Sequence, residues 1–142
     1  MALKVFIDVN IIVDYALKRP QGYVHARQIL QAIVDKQLEG YTGPVVIHIA
    51  AHLLKKVLGV DQAKEIVMAL LNDVVVLNTN QEIIKAAMSS SMSDMEDALQ
   101  YFTALHYQMD ILITRDKDFV RHSPQKLTIL APDDFAAKYL RA

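Results

Sequence analysis

The sequence contains no cysteine, which excludes a disulfide framework and thiolate zinc sites and fits a reducing compartment. It has no apolar run approaching the ~20 residues that a bilayer-spanning helix needs, so no membrane role is expected. It also lacks an excess of either charge: 15 Lys and Arg against 16 Asp and Glu give a formal net charge of -1. No global positive field advertises a polyanion, and contact with one must be local or metal-mediated. The opening Met-Ala-Leu-Lys-Val-Phe-Ile-Asp reaches a carboxylate too early for a signal peptide, and the cytoplasm is the expected location. What is present is 53% hydrophobic residues in a chain of 142, ample for one core, so residues 1–142 read as a single domain without internal repeats.

Short apolar runs alternate with amphipathic stretches along the chain. Residues 3 to 7 predict a buried first strand stopped by Asp8 and Asn10. Asn10 is expected to cap a short helix over 11 to 17, and the spacing of Val24, Ile29, Leu30, Ile33, Val34 and Leu38 predicts one long helix from Tyr23 to Leu38. Pro44 opens a helix through Leu58, and Asp61 is expected to cap another that ends near Leu71. Residues 74 to 77 read as a strand and 80 to 88 as a helix. Ser93-Asp94-Met95-Glu96 has the form of a capping box before a helix through Tyr107. Residues 111 to 114 are a strand, 115 to 118 a charged loop, 127 to 130 a last strand, and Pro132 starts a closing helix. This alternation predicts an α/β fold, a three-layer α/β/α sandwich with a central, mostly parallel sheet. Ligands of such folds sit outside the carboxyl ends of the strands.

That rule selects Asp8 at the end of the first strand, Asp116 just beyond a later strand, and Asp97 in the first turn of the helix preceding that strand. Carboxylates brought together repel and raise one another's pKa unless a cation offsets them. An all-oxygen donor set, without cysteine, suits Mg²⁺ or Mn²⁺ better than zinc. Such an ion supports attack of water on a phosphodiester, which makes nucleic-acid hydrolysis the natural reading. Asn10 and Asp14 are candidates to support the ligands by hydrogen bonding. Glu96 and Asp118 are further acids close by, Glu96 being accounted for as half of the capping box and Asp118 being an alternative to Asp116. Arg19, Arg115 and Lys117, with Lys18 and Arg121 near them, are candidates to hold phosphates beside the metal. Tyr15, Tyr101 and Phe102 are aromatic but at spacings that usually serve a core.

Three segments, Val5-Phe6-Ile7-Asp8-Val9-Asn10-Ile11-Ile12-Val13-Asp14, Asp94-Met95-Glu96-Asp97-Ala98-Leu99-Gln100-Tyr101 and Ile113-Thr114-Arg115-Asp116-Lys117-Asp118-Phe119, together resemble the PIN domain family. The resemblance implies a central parallel sheet and an endoribonuclease, dependent on Mg²⁺ or Mn²⁺, that cleaves single-stranded RNA. It also implies a homodimer and, as in VapC-type toxins, a small antitoxin partner. The family's acidic ligands fall on Asp8, Asp97 and Asp116, and its frequent asparagine on Asn10. The glutamate that the family places on the helix after its second strand has no counterpart, since Val45 to Leu54 contains no acid and only His48 and His52. A site with one fewer carboxylate should bind metal more weakly. The alternative reading is therefore a PIN-like module that binds nucleic acid or protein with impaired catalysis. A phosphoryl-switch domain also clusters aspartates around Mg²⁺, but it needs a lysine after a late strand, for which only Lys117 offers itself.

Overall fold

The computed structural model describes residues 2–140. Its elements are β1 (Leu3–Ile7), α1 (Val9–Ala16), α2 (Tyr23–Val34), β2 (Leu38–Thr42), α3 (Pro44–Leu58), α4 (Val60–Leu70), β3 (Val74–Val76), α5 (Gln81–Ser89), α6 (Met95–His106), β4 (Ile111–Ile113), α7 (Lys117–His122), β5 (Thr128–Leu130) and α8 (Pro132–Tyr139). The five strands are all parallel, in the order β3-β2-β1-β4-β5, and the helices flank them in three layers. β1 is central, and its Val5, Phe6 and Ile7 have no exposed surface although their side chains alternate between faces. Both faces of the sheet are therefore covered, as an all-parallel sheet requires.

The chain runs outward from β1 through β2 to β3 and then crosses back to place β4 on the other side of β1. The carboxyl ends of β1 and β4 flank the point where the winding direction reverses, which is where open α/β sheets form a binding crevice. Register aligns Ile7 with Ile113, so the residues following each strand emerge side by side. The backbone N–H of Asp8 donates to the Ile113 carbonyl at 3.1 Å, extending the pairing to the site itself.

Two elements depart from the sequence reading. The stretch expected to be one helix from Tyr23 to Leu38 divides into α2 and β2. β2, Leu-Glu-Gly-Tyr-Thr, carries a glycine because α2 lies on it: a Cβ at Gly40 would stand 2.6 Å from Ile33 Cδ1. The loop expected over 115 to 118 opens helix α7, with Asp116 as its cap. Caps also shift by one or two residues. Asp8, not Asn10, precedes α1; Gly59, not Asp61, precedes α4; and Asp94, not Ser93, caps α6 by accepting from Asp97 N at 3.0 Å. Glu96 is thus an exposed first-turn acid, stabilised by the helix dipole, and closes no capping box. No helix of the described residues is long and apolar enough to cross a membrane.

Candidate active site

Asp8 sits where β1 ends and α1 begins, and is only 5% exposed. Its Oδ1 accepts from Val9 N at 2.6 Å, and its Oδ2 accepts from the Thr114 hydroxyl at 2.6 Å. Thr114 follows β4, and its own oxygen accepts from Asp116 N at 3.1 Å. One hydroxyl thus couples the residues that leave the two central strands. Asp116 Oδ1 accepts from Asp118 N at 2.9 Å and Phe119 N at 3.4 Å, fixing the side chain as the cap of α7.

Asp97 reaches this edge from the first turn of α6. Burial, and after it the charges of Asp94, Asp8, Asp116 and Glu96, push its carboxyl up to about 7. Asp8 is raised as well, chiefly by burial; the Thr114 hydroxyl, the Val9 N–H and the Gln100 side chain oppose that rise, and the charge of Asp116 adds to it. The three aspartates therefore sense one another, as expected of residues sharing one edge. Among the described residues, no three His, Asp or Glu side chains stand close enough to grip an ion together. The donor chemistry instead fits an ion that keeps much of its water and takes one or two carboxylates directly, which is how Mg²⁺ is usually held. Gln100, one turn beyond Asp97 on α6, has a buried Oε1 without a hydrogen-bond donor among the described residues. Of Asp8, Asp97 and Asp116, one or two would hold such an ion directly and the rest through its water.

Asp94, Asp97, Asp116, Asp118, Ser93 and His122 line a cleft of about 270 Å³. Asp118 is exposed there and pairs with Arg121 at 3.6 Å. On the other side of Asp116 lies a cleft of about 350 Å³ lined by His25, Arg115, Lys117 and Asp133, among others. Lys117 is exposed and turned to this space, whereas Arg115 is engaged. Its Nε and Nη2 donate to Asp14 Oδ2 at 2.8 Å and Oδ1 at 3.0 Å, and its backbone N–H donates to Asn10 Oδ1 at 3.2 Å. Arg19 stands 4.0 Å from the same Asp14. Asn10 and Asp14 accordingly brace the loop after β4, and much of the hydrogen-bonding capacity of Arg115 is spent inside the protein.

Other sequence candidates lie away from the site. His48 and His52 are exposed, whereas α3 buries Val46, Ala50 and Leu54. Tyr101 is fully buried, and its hydroxyl accepts from Lys126 N at 2.8 Å, so it serves the core. Tyr15 stacks on Tyr23 with centroids 6.0 Å apart. Sequence reasoning passed over Thr114, Gln100 and His122. For Thr114 a signal existed, a hydroxyl residue at the strand end two positions before the candidate acid; Gln100 looked like an ordinary helix residue.

Residues 4–118 match the PIN domain family. The chain belongs to the PIN domain family. No curated protein matches it significantly. Its fold is similar to that of VapC20 from Mycobacterium tuberculosis, a sarcin-ricin loop cleaving toxin, with TM-score 0.66 and 14% identity over 82% of this chain and 93% of that one. It is similar to the DNA-bound VapBC of Salmonella typhimurium, with TM-score 0.70 and 12% identity over 92% and 98% of the two chains. A toxin-antitoxin complex from Klebsiella pneumoniae gives TM-score 0.66 and 21% identity over 90% and 97%. The PIN match spans β1, β4 and α6 and therefore contains all three central aspartates.

Proposed function

We propose that this PIN domain is a metal-dependent endoribonuclease acting on single-stranded RNA, and the toxin of a toxin-antitoxin pair. The observation that supports the reading is the link from Asp8 through Thr114 to Asp116 at the carboxyl ends of β1 and β4, with Asp97 in the first turn of α6 raised to about 7 by burial and by nearby acids that include both. Mg²⁺ or Mn²⁺ bound there would polarise the phosphodiester and make water a competent nucleophile near neutral pH. Burial raises the carboxyl of Asp8 against the opposing hydrogen bonds from Thr114 and Val9, and a cation beside it would favour its charged form. Asp97 gives up its proton when a cation arrives, because the charges that raised its pKa are then offset. Asp116 keeps its Oδ1 on the α7 backbone and lines the cleft beside Asp97.

Lys117 and His25 in the adjoining cleft are placed to meet a backbone phosphate on the far side of Asp116. Arg19 is a lesser contributor, and Arg115 acts mainly by holding the loop. Another cavity, about 450 Å³, lies between α1, α2 and α4 and is lined by Tyr15, Tyr23, Leu30, Val34, Ile66 and Leu70 among others. Its apolar lining suits the non-polar face of an antitoxin helix. Val57, Val60 and Met68, exposed on α3 and α4, suit a second subunit in a homodimer.

The test is a calorimetric titration of Mn²⁺ into the wild-type protein and an Asp97→Asn variant, followed by incubation with single-stranded RNA. Saturable binding that weakens at least tenfold in the variant, with cleavage lost in Asp8→Asn, is expected. A folded wild-type protein that binds no Mn²⁺ would overturn the nuclease reading and leave the non-catalytic binding module, consistent with an α3 that brings no acid.

A further inference from the structure

α3 buries one stripe of side chains, Val46, Ala50 and Leu54, at intervals of four residues. His48 and His52 follow the first two of these by two positions, about 200° round an α-helix, so they stand on the side turned away from the body. Both are exposed, and among the described residues no hydrogen bond, ion pair or ring contact engages either imidazole. His25, by contrast, is hydrogen-bonded to Gln28 at 3.1 Å, and His106 packs edge-on against Tyr107.

Residues four apart on a helix carry their Cβ atoms about 5–6 Å apart on one face. Two imidazoles so spaced offer two nitrogen donors to one point, the arrangement by which paired helical histidines hold zinc. The spacing is preorganised, because α3 runs for 15 residues from Pro44 to a stop at Gly59 and its backbone hydrogen bonds set the separation. Imidazole suits Zn²⁺, Ni²⁺ and Cu²⁺, whereas Mg²⁺ calls for oxygen. Donor chemistry thus separates this face from the acidic cleft. Lys55 and Lys56, exposed one turn further along, oppose any cation, so binding must come from the two nitrogens.

We propose that His48 and His52 form a two-nitrogen site for a divalent ion of the zinc class, separate from the carboxylate centre and independent of the nuclease reading. No third His, Asp or Glu among the described residues joins them, so water fills the remaining positions and the ion stays open to exchange. The helix that brings no acid to the cleft would then carry metal ligands of another kind on its outer face.

The experiment is a calorimetric titration of Zn²⁺ into wild type, His48→Gln, His52→Gln, His25→Gln and Asp97→Asn, with Cu²⁺ electron paramagnetic resonance to count the coordinated nitrogens. Wild type should bind one Zn²⁺ at this face, undisturbed by excess Mg²⁺, and its Cu²⁺ spectrum should show two nitrogens. Removing either histidine breaks the chelate: affinity should fall about a hundredfold and the spectrum should drop to one nitrogen. His25→Gln and Asp97→Asn should retain the site. Glutamine is a good helix former and both α3 positions are exposed, so metal-free urea midpoints of His48→Gln and His52→Gln should equal that of wild type. A folded wild-type protein that binds no Zn²⁺ overturns the proposal, as does a loss in His25→Gln equal to that in His48→Gln, which would mean scattered single histidines. Binding lost in Asp97→Asn alone would put the zinc in the acidic cleft, overturning this proposal while leaving the nuclease reading in place. Should a histidine variant fail to fold, a wild-type Cu²⁺ spectrum with fewer than two nitrogens does the same.

Discussion

Two aspartates lie six residues apart on the first turns after β1, both more than nine-tenths buried, and the protein treats them in opposite ways. Asp14 receives a two-point guanidinium clamp from Arg115 and has Arg19 within 4.0 Å. Asp8 receives only neutral donors, a hydroxyl and a backbone N–H, and shares its edge with two further acids. Burying a charge costs free energy unless a partner offsets it. At Asp14 the partner is built into the chain, so that region is complete as folded. At Asp8 no cation among the described residues takes that role, which on the reading proposed above leaves the region to bind one from solution. The same chemistry is structural in one place and poised for function in the other, and the difference lies in whether an arginine was supplied.

Removing the internal partner should give the largest effect. Arg115→Met leaves Asp14 buried with only the more distant Arg19, and should lower stability by about 3 kcal/mol, measured by urea unfolding. Asp14→Asn should cost less, because Arg115 is about one-third exposed and can turn its charge to water. Equal and small losses in both would show that the clamp is not desolvated, and the contrast with Asp8 would fail. A smaller effect is expected at Gly22, where an added Cβ would stand 1.9 Å from Asp14 Oδ2. Gly22→Ala should cost about 1–3 kcal/mol through overpacking, and most of that loss should vanish in an Asp14→Ala background. Additive losses in the double variant would mean that the glycine is needed for some reason other than the room it leaves for Asp14.

The contrast between Asp8 and Asp14 was only half legible in the sequence. Strand ends follow from short apolar runs, so Asp8, Asp97 and Asp116 could be assigned to one edge before any coordinates, and the structure places them there. Asn10 and Asp14, expected to hydrogen-bond the ligands or their waters, instead accept from Arg115. The identity of the partner was not readable: Arg115 is 101 positions from Asp14, and nothing local distinguishes a basic side chain that reaches phosphate from one that reaches a buried carboxylate. β2 was missed because Leu38 continues the helical spacing of α2, and its glycine, which admits Ile33, reads locally as a helix stop. α7 was missed because six residues are too few to show a period, and its cap is the very acid that was being read as a ligand.

The finest test of the contrast is the pH dependence of stability without metal. Asp97 has a carboxyl raised to about 7 in the folded protein, from 3.8 as a free side chain. Between those values the folded state binds more protons than the unfolded one, so the stability this group contributes is full below about pH 4 and is lost as pH rises through about 7. Because Asp97 is only half-buried, solvent screening limits the loss to about 1 kcal/mol. Asp8 shifts in the same direction, so the wild-type slope contains both, and the difference between wild type and Asp97→Asn isolates Asp97. The variant should match wild type near pH 4 and exceed it above pH 7. Saturating Mn²⁺ should reverse the wild-type trend, since ion and proton compete for the same oxygens and the ion wins as pH rises. Parallel stability profiles for the two proteins between pH 4 and pH 8 would mean that neither burial nor the neighbouring acids shift Asp97, and the contrast with the clamped Asp14 would lose its electrostatic basis. Arg115→Met should not change the shape of the Asp97 profile, because the clamp and the carboxylate centre answer to different charges.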